Sequence, residues 1–124
     1  MQGNRGFRDR PGGSASDLLR LYVDLHNRGV RERAFDALCE LFADNARMSF
    51  VGLSLGPFQG RAEITGAFRD HPPDDEIVLG KVTTSTGEAA ADYAWLAHPR
   101  ETAGGLHLRA ERGRIVELRI CPLS

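Results

Sequence analysis

Cysteine is scarce in this chain, and the two that occur, Cys39 and Cys121, stand far apart with no CxxC or Cys/His ligand spacing around them. That pattern argues against a zinc site and a disulfide framework, so both thiols read as reduced core residues. Long apolar runs are lacking too. No stretch approaches the roughly 20 residues a bilayer-spanning helix needs, and Met1 to Arg10 holds no hydrophobic segment resembling a secretory signal. A cytoplasmic protein without membrane contact is the expectation. Charge of one sign is missing as well: 16 basic and 17 acidic residues leave a formal net charge of -1, which gives no ground for a nucleic-acid partner. A Walker-type loop, GxGxxG and HExxH are all absent, which removes several common enzyme classes, and no cofactor is expected.

What is present suits one soluble domain, with 124 residues, 41% hydrophobic and 27% charged. Residues 1–13 mix Gly3, Gly6, Gly12, Gly13 and Pro11 with Arg5, Arg8 and Arg10, too little apolar surface to offset ordering the backbone, and read as a flexible tail. The domain proper is expected over residues 14–124. Ser14 three residues before Asp17 is a helix-start signal, and the first helix is expected to run to Asn27, with Gly29 as its stop. On it, Leu18, Leu21, Tyr22, Leu25 and His26 recur at helical spacing. A phenol and an imidazole on an apolar stripe are costly to bury unless each finds a partner. Either the interior supplies hydrogen bonds or the stripe lines a cavity that a ligand enters.

A second helix is expected from about Arg31 to Ala43, with Phe35, Leu38, Leu41 and Phe42 inward, then a strand from Arg47 to Val51 and an irregular arm from Gly52 to Gly60. Arg61 to Asp70 reads as a third helix, burying Ile64, Ala67 and Phe68. After the break at His71, Pro72 and Pro73 the period changes to two, predicting strands at Glu76 to Ser85, Glu88 to His98, Ala103 to Glu111 and Arg114 to Cys121. Alternation places Leu106, Leu108 and Ala110 on one face with Val116, Leu118 and Ile120, and turns Tyr93 and Trp95 toward the helices. Helices followed by a meander make an α+β architecture.

The segment ELFADNARMSF (Glu40 to Phe50), the FQGRAEI that follows (Phe58 to Ile64), the Tyr-bearing first helix and the closing meander together resemble the NTF2-like superfamily, in its SnoaL-like and ketosteroid isomerase-like branch. The resemblance covers about residues 16–121. It implies a cone of three helices on a curved, mostly antiparallel sheet, open at one end onto an apolar cavity, and a homodimer through the outer sheet face. Position by position, Tyr22 matches the phenol that polarises the substrate carbonyl in the isomerases. The general-base carboxylate of that family falls on Phe50 and its protonated carboxylic acid on Leu106, so the classical steroid-isomerase carboxylates are absent.

Tyr22 and His26 are therefore the candidate catalytic pair, the phenol donating to a carbonyl or enolate oxygen and a neutral imidazole accepting a proton from the adjacent carbon. The candidate wall for a small hydrophobic molecule comprises Phe42, Met48, Phe50, Phe68, Tyr93, Trp95, Leu106, Leu108, Leu118 and Ile120. These large side chains either line the cone or fill it. Asp74, Asp75 and Glu76 read as solvated or capping groups, and no metal is expected. Epoxide-opening relatives use an Asp/Arg/Asp set inside the cone, whereas Asp92 and Arg47 are predicted to point outward here. An isomerase or cyclase acting on a hydrophobic carbonyl compound, steroid- or polyketide-like, is the leading expectation, with a non-catalytic ligand binder or dimerisation module as the alternative.

Overall fold

The computed structural model describes residues 14–123, so the tail expected over 1–13 lies outside the described residues. The element order is α1 (Ala15–Glu32), α2 (Asp36–Cys39), β1 (Phe42–Phe50), β2 (Phe58–Gln59), α3 (Arg61–Asp70), β3 (Ile77–Leu79), β4 (Thr83–Ser85), β5 (Glu88–Trp95), β6 (Thr102–Glu111) and β7 (Arg114–Pro122). Among the described residues no helix is long and apolar enough to cross a membrane.

Ser14 caps α1 as its sequence suggests, its hydroxyl accepting the Asp17 amide at 3.0 Å, which satisfies one of the free N–H groups of the first turn. The helix does not stop at Asn27. It passes through Gly29 and ends beyond Glu32, where Arg33 takes the left-handed conformation at φ 58. Gly29 serves close approach, since a Cβ there would lie 2.5 Å from Phe35 Cδ1 and 2.8 Å from the Ala34 carbonyl oxygen. The buried stripe is also rotated from the expected one. Ala15, Leu18, Leu19, Tyr22, Val23 and His26 are buried, at i, i+3, i+4, i+7, i+8 and i+11 counted from Ala15, while Leu21 is exposed and Leu25 half-buried. Leu18, Tyr22 and His26 are common to both stripes, and the flank of Leu19 and Val23 is covered where that of Leu21 and Leu25 is expected.

The long second helix is replaced by the single turn α2, and the apolar residues after it enter the sheet. Phe42 pairs with Ile115, the Leu41 carbonyl accepts the Ile115 amide at 2.9 Å, and β1 continues to Phe50 with an irregularity between Phe42 and Arg47. The ladder with β7 satisfies backbone groups that a helix would have satisfied locally, so tertiary pairing overrides a periodicity that fitted either state. The expected strand over Glu76 to Ser85 is divided into β3 and β4. Gly80 marks the division, its amide donating to the Asp92 carbonyl at 2.8 Å.

Strand order is β2-β1-β7-β6-β5-β3, with β4 also paired to β5. Pairing is antiparallel except between β1 and β7, which run parallel. The β6–β7 turn has positive φ at both Arg112 (54°) and Gly113 (76°), the backbone a tight hairpin with right-handed twist requires. A bulge between Arg109 and Ala110 pairs Ala110 with Ile115 and Arg109 with Glu117, leaving Val116 as the extra residue. Ile115 is consequently the buried residue and Val116 only half-buried, the reverse of simple alternation.

The helices cover one face of this curved, unclosed sheet, and the core between them is built around Leu18, Leu19, Leu38, Phe42, Ile64, Leu108, Ile115 and Leu118, all at most 1% exposed. Cys39 belongs to it. Cys121 is only half-buried, beside Gly105 on the strand face opposite Ile120, and both thiols are free.

Candidate functional site

The helices and the sheet do not meet along their whole length, and a cavity of about 740 Å³ opens between them. α1 contributes Tyr22 and His26 to its wall, β1 contributes Met48 and Phe50, and α3 contributes Ala67 and Phe68. Ile77, Tyr93, Trp95, Leu106 and Ile120 form the sheet side. Nine of the candidate residues therefore meet around one hollow: Tyr22, His26, Met48, Phe50, Phe68, Tyr93, Trp95, Leu106 and Ile120.

Phe42, Leu108 and Leu118 do not line it. Each is 0% exposed in the core. Alternation along a strand selects a face, but distance along the cone axis depends on the twist. Layers stand apart at the Leu106–Ile120 row and close at the Leu108–Leu118 row, two residues further along.

Leu53, Leu55 and Phe58, from the segment read as an irregular arm, line the same hollow, as do His71, Pro73, Thr102, Ala103, Pro122 and Leu123. Leu53 and Leu123 are 53% and 64% exposed, so the rim is apolar. Three large apolar side chains in a Gly- and Pro-containing arm were the available signal, because such residues need something to cover.

Tyr22 and His26 are each 3% exposed, with ring centroids 6.1 Å apart. Phe42 packs edge-on against Tyr22 at 6.3 Å, and Trp95 lies 6.4 Å from His26 and 5.5 Å from Tyr93. Burial, followed by the neighbouring Cys39 and Tyr93, pushes the Tyr22 phenol well above its ordinary range, so it stays a neutral donor. Burial also raises Tyr93, with Cys121 adding to the shift. For His26 burial acts the other way and lowers the pKa, partly opposed by its hydrogen bond to Asn27 and by the charges of Glu76 and Asp75. A neutral imidazole results.

That depressed value has a consequence for stability. The unfolded chain protonates His26 near the ordinary 6.5, whereas the folded chain resists until lower pH, so the unfolded state binds more protons in between. Stability is expected to be level above that value and to fall as pH drops through the window below it. A neutral His26→Gln variant should flatten this limb in urea titrations across pH. An unchanged slope would mean that the imidazole is not buried neutral.

The acidic cluster serves other ends. The Asp75 carboxylate accepts the Glu76 and Ala97 amides at 2.8 and 3.2 Å, and Glu76 pairs with Arg31 at 2.7 Å. Arg47 and Asp92 are exposed, on the opposite face from inward Met48 and Tyr93. On that outer face Glu88, Arg109, Glu117 and Arg47 stand in one cross-strand row of alternating sign, and Arg109 lies 3.7 Å from Glu117.

The SnoaL-like domain family matches residues 22–118. No curated protein matches the chain in sequence. Among solved structures, a protein from Sphaerobacter thermophilus superposes with a TM-score of 0.68 at 22% identity, over 90% of this chain and 98% of its own. A candidate ketosteroid isomerase from Kribbella flavida gives 0.65 at 15% identity, covering 87% and 79%. A candidate isomerase from Bacillus subtilis gives 0.64 at 19%, covering 86% and 84%. At such identities the likeness is one of fold. Because the family match spans most of the chain and reaches from the phenol-bearing helix to the last strand, the chain belongs to the SnoaL-like domain family, with an NTF2-like fold.

Proposed function

We propose that this protein binds a hydrophobic carbonyl compound of steroid- or polyketide-like size in the hollow and moves a proton within it, as an isomerase or cyclase that uses its own side chains. The observation that supports this reading is the placement of Tyr22 and His26 one helical turn apart, buried from bulk solvent yet both on the cavity wall. A cavity of about 740 Å³ lies within the range used for ligands of this size.

The chemistry follows from the two groups. His26 accepts a proton from the carbon beside the carbonyl. As the C–H bond breaks and the N–H bond forms, the electron pair moves into a new C–C double bond and charge develops on the carbonyl oxygen. The Tyr22 O–H donates a hydrogen bond to that oxygen, in surroundings where apolar walls weaken screening. His26 then returns the proton to a different carbon, or the enolate attacks a second carbonyl carbon of the same molecule, whose C=O π pair moves onto its oxygen and takes the proton from His26. Phe50 and Leu106 both line the hollow, and the family resemblance assigns them the positions of the isomerases' carboxylates, so the base role falls to His26.

Hydrogen–deuterium exchange of β-tetralone, an enolisable bicyclic ketone, tests the proposal. In deuterium oxide the protein should accelerate exchange beside the carbonyl far above the buffer rate. Exchange at the buffer rate for β-tetralone and for a β,γ-unsaturated cyclohexenone, with binding intact, would replace catalysis by simple ligand binding. The proposal also places a second copy of the chain against the outer sheet face. Reversing Arg109 and Arg119 to Glu should separate the dimer in analytical ultracentrifugation, and a wild type that sediments as a monomer would remove that part.

A further inference from the structure

The Asn27 amide is held from both ends by one residue of β3: its Nδ2 donates to the Ile77 carbonyl at 2.8 Å, and its Oδ1 accepts the Ile77 amide at 2.7 Å. Turning the amide over would set N–H against N–H and oxygen against oxygen, so its orientation is determined. His26 Nδ1 lies 3.0 Å from the same Oδ1. An amide oxygen has no proton to give, so Nδ1 is the donor in that bond. A neutral imidazole carries a single N–H, which leaves Nε2 with the lone pair.

Two further facts bear on what meets that lone pair. His26 is on the cavity wall, and Nε2 is not among the sealed polar atoms that lack a partner, a condition found among the described residues only for His107 Nδ1. Among the described residues, the lining includes no Asp, Glu, Lys or Arg, and His71 at the exposed edge is the other lining side chain able to carry positive charge. An ion entering the hollow would lose its hydration without a fixed countercharge.

From this geometry we infer that the hollow selects uncharged ligands bearing a hydrogen-bond donor, which His26 Nε2 receives, and that Asn27 is the positioning residue that keeps the imidazole proton on Nδ1. The inference rests on the proposed use of the hollow as a ligand site and narrows its substrate class. Combined with a phenol that donates to a carbonyl, it describes a ketone that also carries a hydroxyl or an enol. In the resting complex the hydroxyl occupies the lone pair that the proposed reaction uses for the carbon-bound proton, so it must turn aside before that step. A plain ketone such as β-tetralone presents only its C–H there and binds more weakly, and a carboxylate would meet a lone pair where it needs a donor.

Nitrogen NMR of the ring-labelled full chain at about pH 8, where a histidine of ordinary pKa is neutral, should show His26 protonated at Nδ1 and unprotonated at Nε2. Calorimetric titration should rank three naphthalenes. β-Naphthol should bind about three- to tenfold more tightly than its methyl ether, the effect of one neutral hydrogen bond, and β-naphthoate should bind most weakly. Asn27→Ala removes the acceptor, and should let the proton share both ring nitrogens and narrow the naphthol preference. Asn27→Asp restores an acceptor beside Nδ1 and should return both. Because either variant can loosen β3, the wild-type spectrum and ranking are decisive by themselves. A proton on Nε2 would overturn the role given to Asn27. Equal affinity for the alcohol and its ether, or tighter binding of the carboxylate, would overturn the ligand class while leaving the hollow as a binding site. If none of the three binds, the inference and the proposed function fall together.

Discussion

His26→Leu is expected to slow proton exchange in β-tetralone by about 10²- to 10⁴-fold, the usual contribution of a positioned general base. Tyr22→Phe should slow it by about 10²- to 10³-fold, the effect of removing one donor from a developing oxyanion. Both expectations follow from position. Each ring is 3% exposed and each borders the hollow, so bulk water is poorly placed to replace it. Tyr22→Phe changes one oxygen atom and leaves the edge-on packing with Phe42 in place. It should therefore retain affinity for an unreactive naphthalene ligand while losing rate. The measurement is exchange followed by proton NMR beside a binding titration of the same variants. Wild-type rates in both variants would remove the pair from the chemistry.

Phe42→Ala carries the second large effect, on stability. The side chain is fully buried at the junction of α1 and β1, and deleting such a ring costs about 3–5 kcal/mol through lost transfer energy and the cavity left behind. Against a net stability of about 5–15 kcal/mol for a single domain, that is a large fraction. Urea unfolding should show a sharply lower midpoint. Affinity for naphthalene ligands should stay near wild type wherever the variant is folded, since Phe42 does not border the hollow. Phe50→Ala should do the opposite, with a small stability loss and a clear change in affinity, because Phe50 is half-buried on the cavity wall. If Phe42→Ala instead changes ligand affinity at little cost in stability, its place in solid core is wrong.

How much was legible beforehand differs by element. Ser14, α3 and the β6–β7 turn carry local signals that the structure shares: a hydroxyl for a free amide, a short amphipathic period, a turn residue tolerant of positive φ. Leu41 and Phe42 carried an ambiguous one. Their spacing with Phe35 and Leu38 suits a helix, and only the presence of β7 alongside turns Phe42 into the start of a strand. Gly29 misled for a related reason, because its missing Cβ makes room for Phe35, a contact that no local rule reports. The stripe on α1 was rotated because both flanks are apolar in sequence, and the sheet's position decides which one is covered.

Within the site, the same division holds. Sequence alone determined that a phenol and an imidazole lie one turn apart on a buried helix face and that the second half of the chain alternates as a meander. These depend on residue identity and on the fixed periods of helix and strand. Tertiary structure alone decided that Leu106 and Ile120 border a hollow while Leu108 and Leu118 close it, that Leu53, Leu55 and Phe58 reach its rim, and that Asn27 holds both Ile77 and His26. Each of those depends on how far two layers stand apart at a given point. Sheet twist and long-range packing set that distance, and no periodicity along the chain encodes it.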